Sequence, residues 1–194
     1  PTQPTGQIRF QLSWELEKGA LAHWFYFFTG RETRTRAQVA FSGQVVGTAS
    51  EANLRNRLAV QDLHRWDLVA PRPVPAWEGD CELKFLGQPL SLELVRAEIH
   101  SERSRIQAHG RIEDIFGRRR WAVEITPATI HLDDLLALYS AFKANVSHQT
   151  RLEGAGQLRA KLLGARARWI AQWQLEQPGL CQVPGLPEPV KVQT

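Results

Sequence analysis

The sequence lacks most of the parts from which catalytic and metal centres are built. It has two cysteines in 194 residues, Cys81 and Cys181, a hundred positions apart and with no Cys-x-x-Cys. That spacing excludes a zinc ribbon or a dithiol redox pair, while leaving open whether the two thiols are free or bridged. The six histidines, at positions 23, 64, 100, 109, 131 and 148, show neither His-x-His nor His-x-x-x-His spacing. No Gly-x-Gly-x-x-Gly occurs, and GAGQLRAKLLG (Gly154 to Gly164) places glycines near Lys161 without the Gly-Lys-Ser/Thr ending of a phosphate loop. His64 in DLHRWDL has Asp62 and Asp67 beside it. This is either a small acid–base group or a turn whose polar side chains satisfy backbone groups, and the sparse surroundings favour the turn. The sequence therefore points away from an enzyme and calls for no metal or cofactor.

Other absences bound the setting. No apolar run approaches the ~18 residues of a membrane-spanning helix. The nearest, GALAHWFYFFTG (Gly19 to Gly30), contains His23 and ends after 12 residues. There is no methionine, and a start at PTQPTG reads as an internal segment of a longer chain, for which a missing signal peptide says nothing about compartment. The formal charge is +4, but only Arg118, Arg119 and Arg120 form a dense basic run. The other arginines alternate with apolar residues, the pattern of a solvated sheet face, so a nucleic-acid partner is not expected.

What the chain does have is period two. In QIRFQLSWELEK, Ile8, Phe10, Leu12, Trp14 and Leu16 face one way, with Arg9, Gln11, Ser13, Glu15 and Glu17 between them. The pattern returns at Leu90, Leu92 and Leu94, at Ile106, Ala108, Gly110 and Ile112, and at Trp121, Val123 and Ile125. It runs again through RLEGAGQLRAKLLG, from Leu152 to Leu162. RARWIAQWQLEQ (Arg166 to Gln177) fits a helix by the four-residue spacing of Trp169 and Trp173. It also fits a strand by the alternation of Ala167, Trp169, Ala171, Trp173 and Leu175, and the alternating neighbours make the strand the consistent choice.

Turn signals at Gly87-Gln88-Pro89, Phe116-Gly117, Gly164 and Pro178-Gly179 leave gaps too short for crossovers, so the strands are expected to be antiparallel. Residues 131–144 carry Leu132, Leu135, Leu136, Leu138, Tyr139 and Phe142 at helical spacing. Asp133 and Asp134 lie early and Lys143 late, suiting the helix dipole better than a metal site. ALAHWFYFF is either a second short helix or a buried connection. Residues 69–77, with three prolines between Pro71 and Pro75, form an extended loop. At this length the chain buries about 70% of its unfolded surface, enough for one β-rich module over 1–194.

One helix covers about two strands of such a sheet. Either a second layer closes the apolar face, as in a sandwich or α+β domain, or part of it stays open to a partner. A resemblance bears on this choice. FSGQVVGTASEANL (Phe41 to Leu54), with Phe41-x-Gly43 then Gly47-Thr48, leads into RLAVQDLHRWDL. RIQAHGRIED is followed by RRRWAVEITPATIHLDDLLAL, and LEGAGQLRAKLLG reads as another repeat start with Gly154 and Gly156. These segments, over roughly residues 36 to 176, resemble the bacterial AsmA-like family of inner-membrane-anchored envelope proteins, related in architecture to TamB.

The resemblance implies a mainly β fold: a curled antiparallel sheet, as an open groove or half-barrel, with one or two short crossing helices. It further implies a periplasmic location and a role in lipid transport or outer-membrane homeostasis, with no catalytic residues to carry over. The chain departs from the family in length, making one or two repeats without the anchor, so membrane association would come from parts outside this segment. Expected partners are a phospholipid or other lipid and neighbouring modules of the same long chain. Alternation alone selects Phe10, Trp14, Leu92, Leu94, Trp121, Val123, Trp169 and Trp173 as candidate lipid-binding residues. A non-enzymatic protein-interaction module and a carbohydrate-binding β-sandwich are the alternatives.

Overall fold

Period-two segments joined by short turns build a meander, and the chain folds accordingly. A computed structural model describes residues 8–69, 72–87, 90–115, 117–164, 168–176, 179–182 and 190–192. In chain order the elements are β1 (Phe10–Ala20), α1 (Leu21–Thr29), β2 (Thr35–Gly47), β3 (Glu51–Arg65), β4 (Trp77–Gly87), β5 (Leu90–His100) and β6 (Arg105–Glu113). There follow β7 (Arg120–His131), α2 (Leu132–Phe142), β8 (Arg151–Glu153), β9 (Ala155–Gly164), β10 (Arg168–Leu175), β11 (Gly179–Gln182) and β12 (Val190–Val192). Nine strands form one antiparallel sheet in the order β1-β2-β3-β4-β5-β6-β7-β9-β10. Its edges β1 and β10 do not meet, so the sheet is open, and its strands lie in one sheet rather than in the two facing layers of a sandwich.

RARWIAQWQLEQ is indeed a strand, β10, although Arg166, Ala167 and Gln177 fall outside the described residues. So do Gln88 and Pro89, Phe116, Pro178, and Ala70 and Pro71 of the proline-rich loop, whose Trp77 belongs to β4.

RLEGAGQLRAKLLG, expected as one strand, is two. Gly154 takes φ +122°, a conformation that residues with side chains rarely adopt, and a Cβ there would lie 3.1 Å from the Gly179 Cα. The chain changes sheets at this glycine. β8 pairs with β11, which pairs with β12, while β9 enters the large sheet between β7 and β10.

The segment left between helix and buried connection is α1, nine residues closed by Gly30 at φ 65°, whose N–H reaches the Tyr26 carbonyl at 2.8 Å. Its Trp24 ring meets Phe41 edge-on, with centroids 5.8 Å apart. The second helix is eleven residues long, bounded by extended His131 and Lys143. It starts at the end of β7, and its last carbonyl, that of Phe142, accepts an Arg65 guanidinium N–H from β3 at 3.3 Å. Eleven residues rise about 16 Å, roughly three strand spacings, so α2 crosses the strand ends.

Asp134 does more than begin the helix. It is 3% exposed and accepts the Ser101 and Ser104 hydroxyls at 2.7 and 2.6 Å, while Arg103 pairs with both Asp133 and Asp134. Ser104 Oγ also accepts the His131 backbone N–H at 2.9 Å. One carboxylate thus ties the β5–β6 turn to the start of α2. Both helices, the proline-rich loop and the three-stranded sheet gather at this end of the large sheet; among the described residues the opposite end carries no helix.

Ser104 is 1% exposed, and its truncation removes a partner from the buried Asp134 carboxylate and from the His131 backbone N–H. Ser104→Ala should cost about 1–3 kcal/mol, roughly 2–10 °C in Tm, with Ser13→Ala on the exposed face as a neutral control. Thermal unfolding checks this, and equal stability of the two variants would contradict it.

Candidate ligand-binding face

Directly opposed residues of antiparallel strands share a face, so the register can be followed from edge to edge. One row runs Leu12, Val45, Leu54, Leu83, Leu94, Gly110, Val123, Leu162, Trp169, apolar at every strand. The row nearer the open end runs Phe10, Gly47, Ala52, Phe85, Leu92, Ile112, Trp121, Gly164. On the other side lies Trp14, Gly43, Asn56, Cys81, Ala97, Ala108, Ile125, Ala160, Ala171, mostly small. Beyond it large side chains return with Leu16, Phe41, Leu58, then Ile99 and Ile106, and Leu158 and Trp173. A lane of small residues therefore crosses the strands between two bulky rows.

All eight residues chosen by alternation lie on this face. Phe10, Leu92 and Trp121 share one row, Leu94, Val123 and Trp169 the next, and Trp14 and Trp173 fall in the third and fourth. The face is partly open: Leu12 is 61% exposed, Trp169 60%, and Ile99 and Phe85, in the middle of the sheet, 46% and 39%. Val39, Ala128 and Ile130, towards the helices, are buried.

The sequence reading missed the centre of the face, namely Leu54, Leu83, Phe85, Ile99 and the small lane. Strands β3 and β4 alternate just as β1 does, from Ala52 to Val60 and from Trp77 to Phe85, so the signal was present there. In β5 it is interrupted. Leu94 and Ala97 share the apolar face across a register shift at Val95–Arg96, which moves the phase by one. β7 does the same between Ile125 and Ala128, with exposed Pro127 inside the bulge.

The two edge strands are pinned alike. The space that a Cβ on Gly43 would fill is taken by the Trp14 indole of β1, and Gly156 is covered in the same way by Trp173 of β10. Trp14 and Trp173 thus contribute to the face and also hold its edges.

The opposite face is wet and charge-paired. Arg55 meets Glu82 at 3.2 Å, Arg57 meets Glu78 at 3.0 Å, and Lys161 meets Glu124 at 3.1 Å. Arg96 and Arg105 converge on Glu98, whose carboxyl Arg96 above all holds below the usual range, against the opposing effect of burial.

Both cysteines are free; Cys81 lies in the small lane, where burial pushes its thiol up. His64 Nδ1 sits 2.8 Å from the Asp62 carbonyl and Arg65 pairs with Asp67, a local cluster at a bulge where Asp62 has φ 54°. Among the described residues no group of three or more His, Cys, Asp or Glu could hold a metal ion.

Compared with known protein families, curated proteins and solved structures, the chain matches none.

A side chain on Gly156 must displace Trp173 and press on the Gln174 carbonyl. Gly156→Val should release β10, so that amides of Trp169–Gln174 exchange at least about tenfold faster while those of β4 and β5 are unchanged. Hydrogen exchange reads this directly; unchanged protection in β10 would show that the glycine–indole contact does not hold the edge.

Proposed function

We propose that this chain is a non-enzymatic lipid-binding module whose apolar sheet face carries acyl chains. In this reading it works in the periplasm as part of a longer, inner-membrane-anchored protein of the AsmA-like kind, in lipid transport or outer-membrane homeostasis. The supporting observation is the edge-to-edge apolar face that keeps large side chains exposed in the middle of an open sheet. A contiguous exposed apolar surface of this kind costs free energy in water unless something covers it, at about 25 cal/mol per Å². Acyl chains suit the relief. The small lane from Gly43 to Ala108 crosses five strands, about 19 Å, and the bulky rows flanking it stand about 13 Å apart. The hydrocarbon of one membrane leaflet is about 15 Å deep, so a single chain is of matching length. No described helix is long and apolar enough to cross a membrane, so the anchor belongs to other parts of the protein in this reading.

A second observation favours pairing with a neighbouring module. From Trp169 to Gln174 the β10 edge is exposed and without charge, whereas the β1 edge carries Glu15, Glu17 and Lys18 and a register shift. Uncharged flat edges invite strand addition, and an added strand would prolong the apolar rows.

Native mass spectrometry of protein expressed in bacteria tests the lipid reading. Phospholipid should co-purify, and Leu94→Glu or Leu83→Glu should weaken fatty-acid probe binding at least about tenfold, each decade being 1.4 kcal/mol. Glu82→Gln on the wet face should leave binding unchanged. Absence of both co-purified lipid and probe binding would overturn the reading.

A further inference from the structure

The two ends of the apolar face differ in charge as well as in architecture. At the helix end the buried Asp134 carboxylate and the Arg103–Asp133 pair close the strands. At the open end, the turn between β2 and β3 contributes only Glu51, which is paired with Lys84 at 2.7 Å. The basic residues collect instead on the β6–β7 side. Between Arg111 and Arg120 there are four arginines against two acids, and exposed Arg168 opens β10 two strands away.

The two acids are already engaged. Glu113 lies 3.8 Å from Arg111. Asp114, at φ 50°, turns its carboxylate back to accept the Arg118 backbone N–H at 2.8 Å. The turn is well held: the Ile115 N–H reaches the Leu90 carbonyl at 3.1 Å, and Arg119 Nε donates to the Ile115 carbonyl at 2.9 Å. Among the described residues, no carboxylate is ion-paired with the guanidinium of Arg118, Arg119 or Arg120. The next residue, Trp121, opens the apolar rows beside Ile112, an indole at the boundary between charged and greasy surface.

We propose that the face takes an anionic amphiphile in one orientation, its phosphate on Arg118 and Arg119 of the β6–β7 turn and its acyl chains running from Trp121 towards the helices; Arg120, opposite Glu113, lies on the wet face and adds only to the local positive charge. The proposal rests on the lipid-binding reading and deepens it by fixing the charge and polarity of the ligand. Guanidinium groups are suited to phosphate oxygens, whereas a choline head would set a cation against a basic turn. Trp121, Val123 and Ile125 line about 13 Å along β7, close to the length of one chain, which then ends where the small lane begins.

The test compares phosphatidylglycerol with phosphatidylcholine of identical chains, each presented to the purified full chain, with a neutral diacylglycerol as reference. The expected result is a preference of about tenfold or more for phosphatidylglycerol that falls as salt is raised. The variant carrying Arg118→Gln, Arg119→Gln and Arg120→Gln should lose the preference and keep diacylglycerol binding. Equal binding of the two phospholipids, a preference insensitive to salt, or a preference surviving in the variant would each overturn the orientation. Competition by inorganic phosphate at micromolar concentration would overturn it too, marking a free-phosphate site. Failure to bind any of the three, diacylglycerol included, would instead remove the lipid-binding reading itself. The salt dependence of the unaltered protein keeps the test decisive even if the triple variant does not fold.

Discussion

Antiparallel pairing keeps opposed side chains on one side of the sheet, and the rest of this structure depends on that constraint. A single strand such as β1 is greasy on one surface and wettable on the other by its own sequence. Only the register makes nine such strands agree, so that Leu12 at one edge and Trp169 at the other belong to one row. A slip of one residue at any pairing would turn the following strands over and bring Arg55 or Glu82 into the apolar rows. The salt bridges of the wet face add little energy individually, but apolar groups in their place would remove a penalty for misregister.

The departures from strict alternation keep the constraint intact. The bulges at Val95–Arg96 and Thr126–Pro127 absorb an extra residue each and return the chain to phase, bending the strands as they do so. Glycine serves two different ends. Gly154 lets the chain leave one sheet for another, while Gly43 and Gly156 clear space for indoles that clamp the edge strands. Closure at one end comes from α2 and its buried carboxylate, and among the described residues the other end carries no helix. A face so arranged has a direction, with a packed end and a charged, open one.

Much of this was legible in the sequence, and the limits were physical. The strand nature of RARWIAQWQLEQ, the helix beginning near Leu132 and the common face of all eight chosen residues follow from periodicity, which the backbone converts directly into geometry. The break at Gly154 did not follow, because a glycine at an alternating position looks the same whether it continues a strand or ends one. Asp134 read as a helix-start residue because its partners Ser101 and Ser104 are some thirty positions away in sequence and meet it only through the fold. The small lane was invisible for a related reason. Gly43, Cys81 and Ala108 have nothing in common within their own strands and become a feature only when register sets them side by side.

Contact between this face and hydrocarbon can be measured with the indoles already in place. Five of the seven tryptophans, Trp14, Trp77, Trp121, Trp169 and Trp173, lie on the apolar side by register. Phospholipid with brominated acyl chains should quench their fluorescence well beyond its unbrominated counterpart, and replacing Trp121, Trp169 and Trp173 by Phe should remove much of that difference. Bound lipid whose bromines leave the emission unchanged would contradict the account, since the chains would then lie somewhere other than on the nine-stranded face.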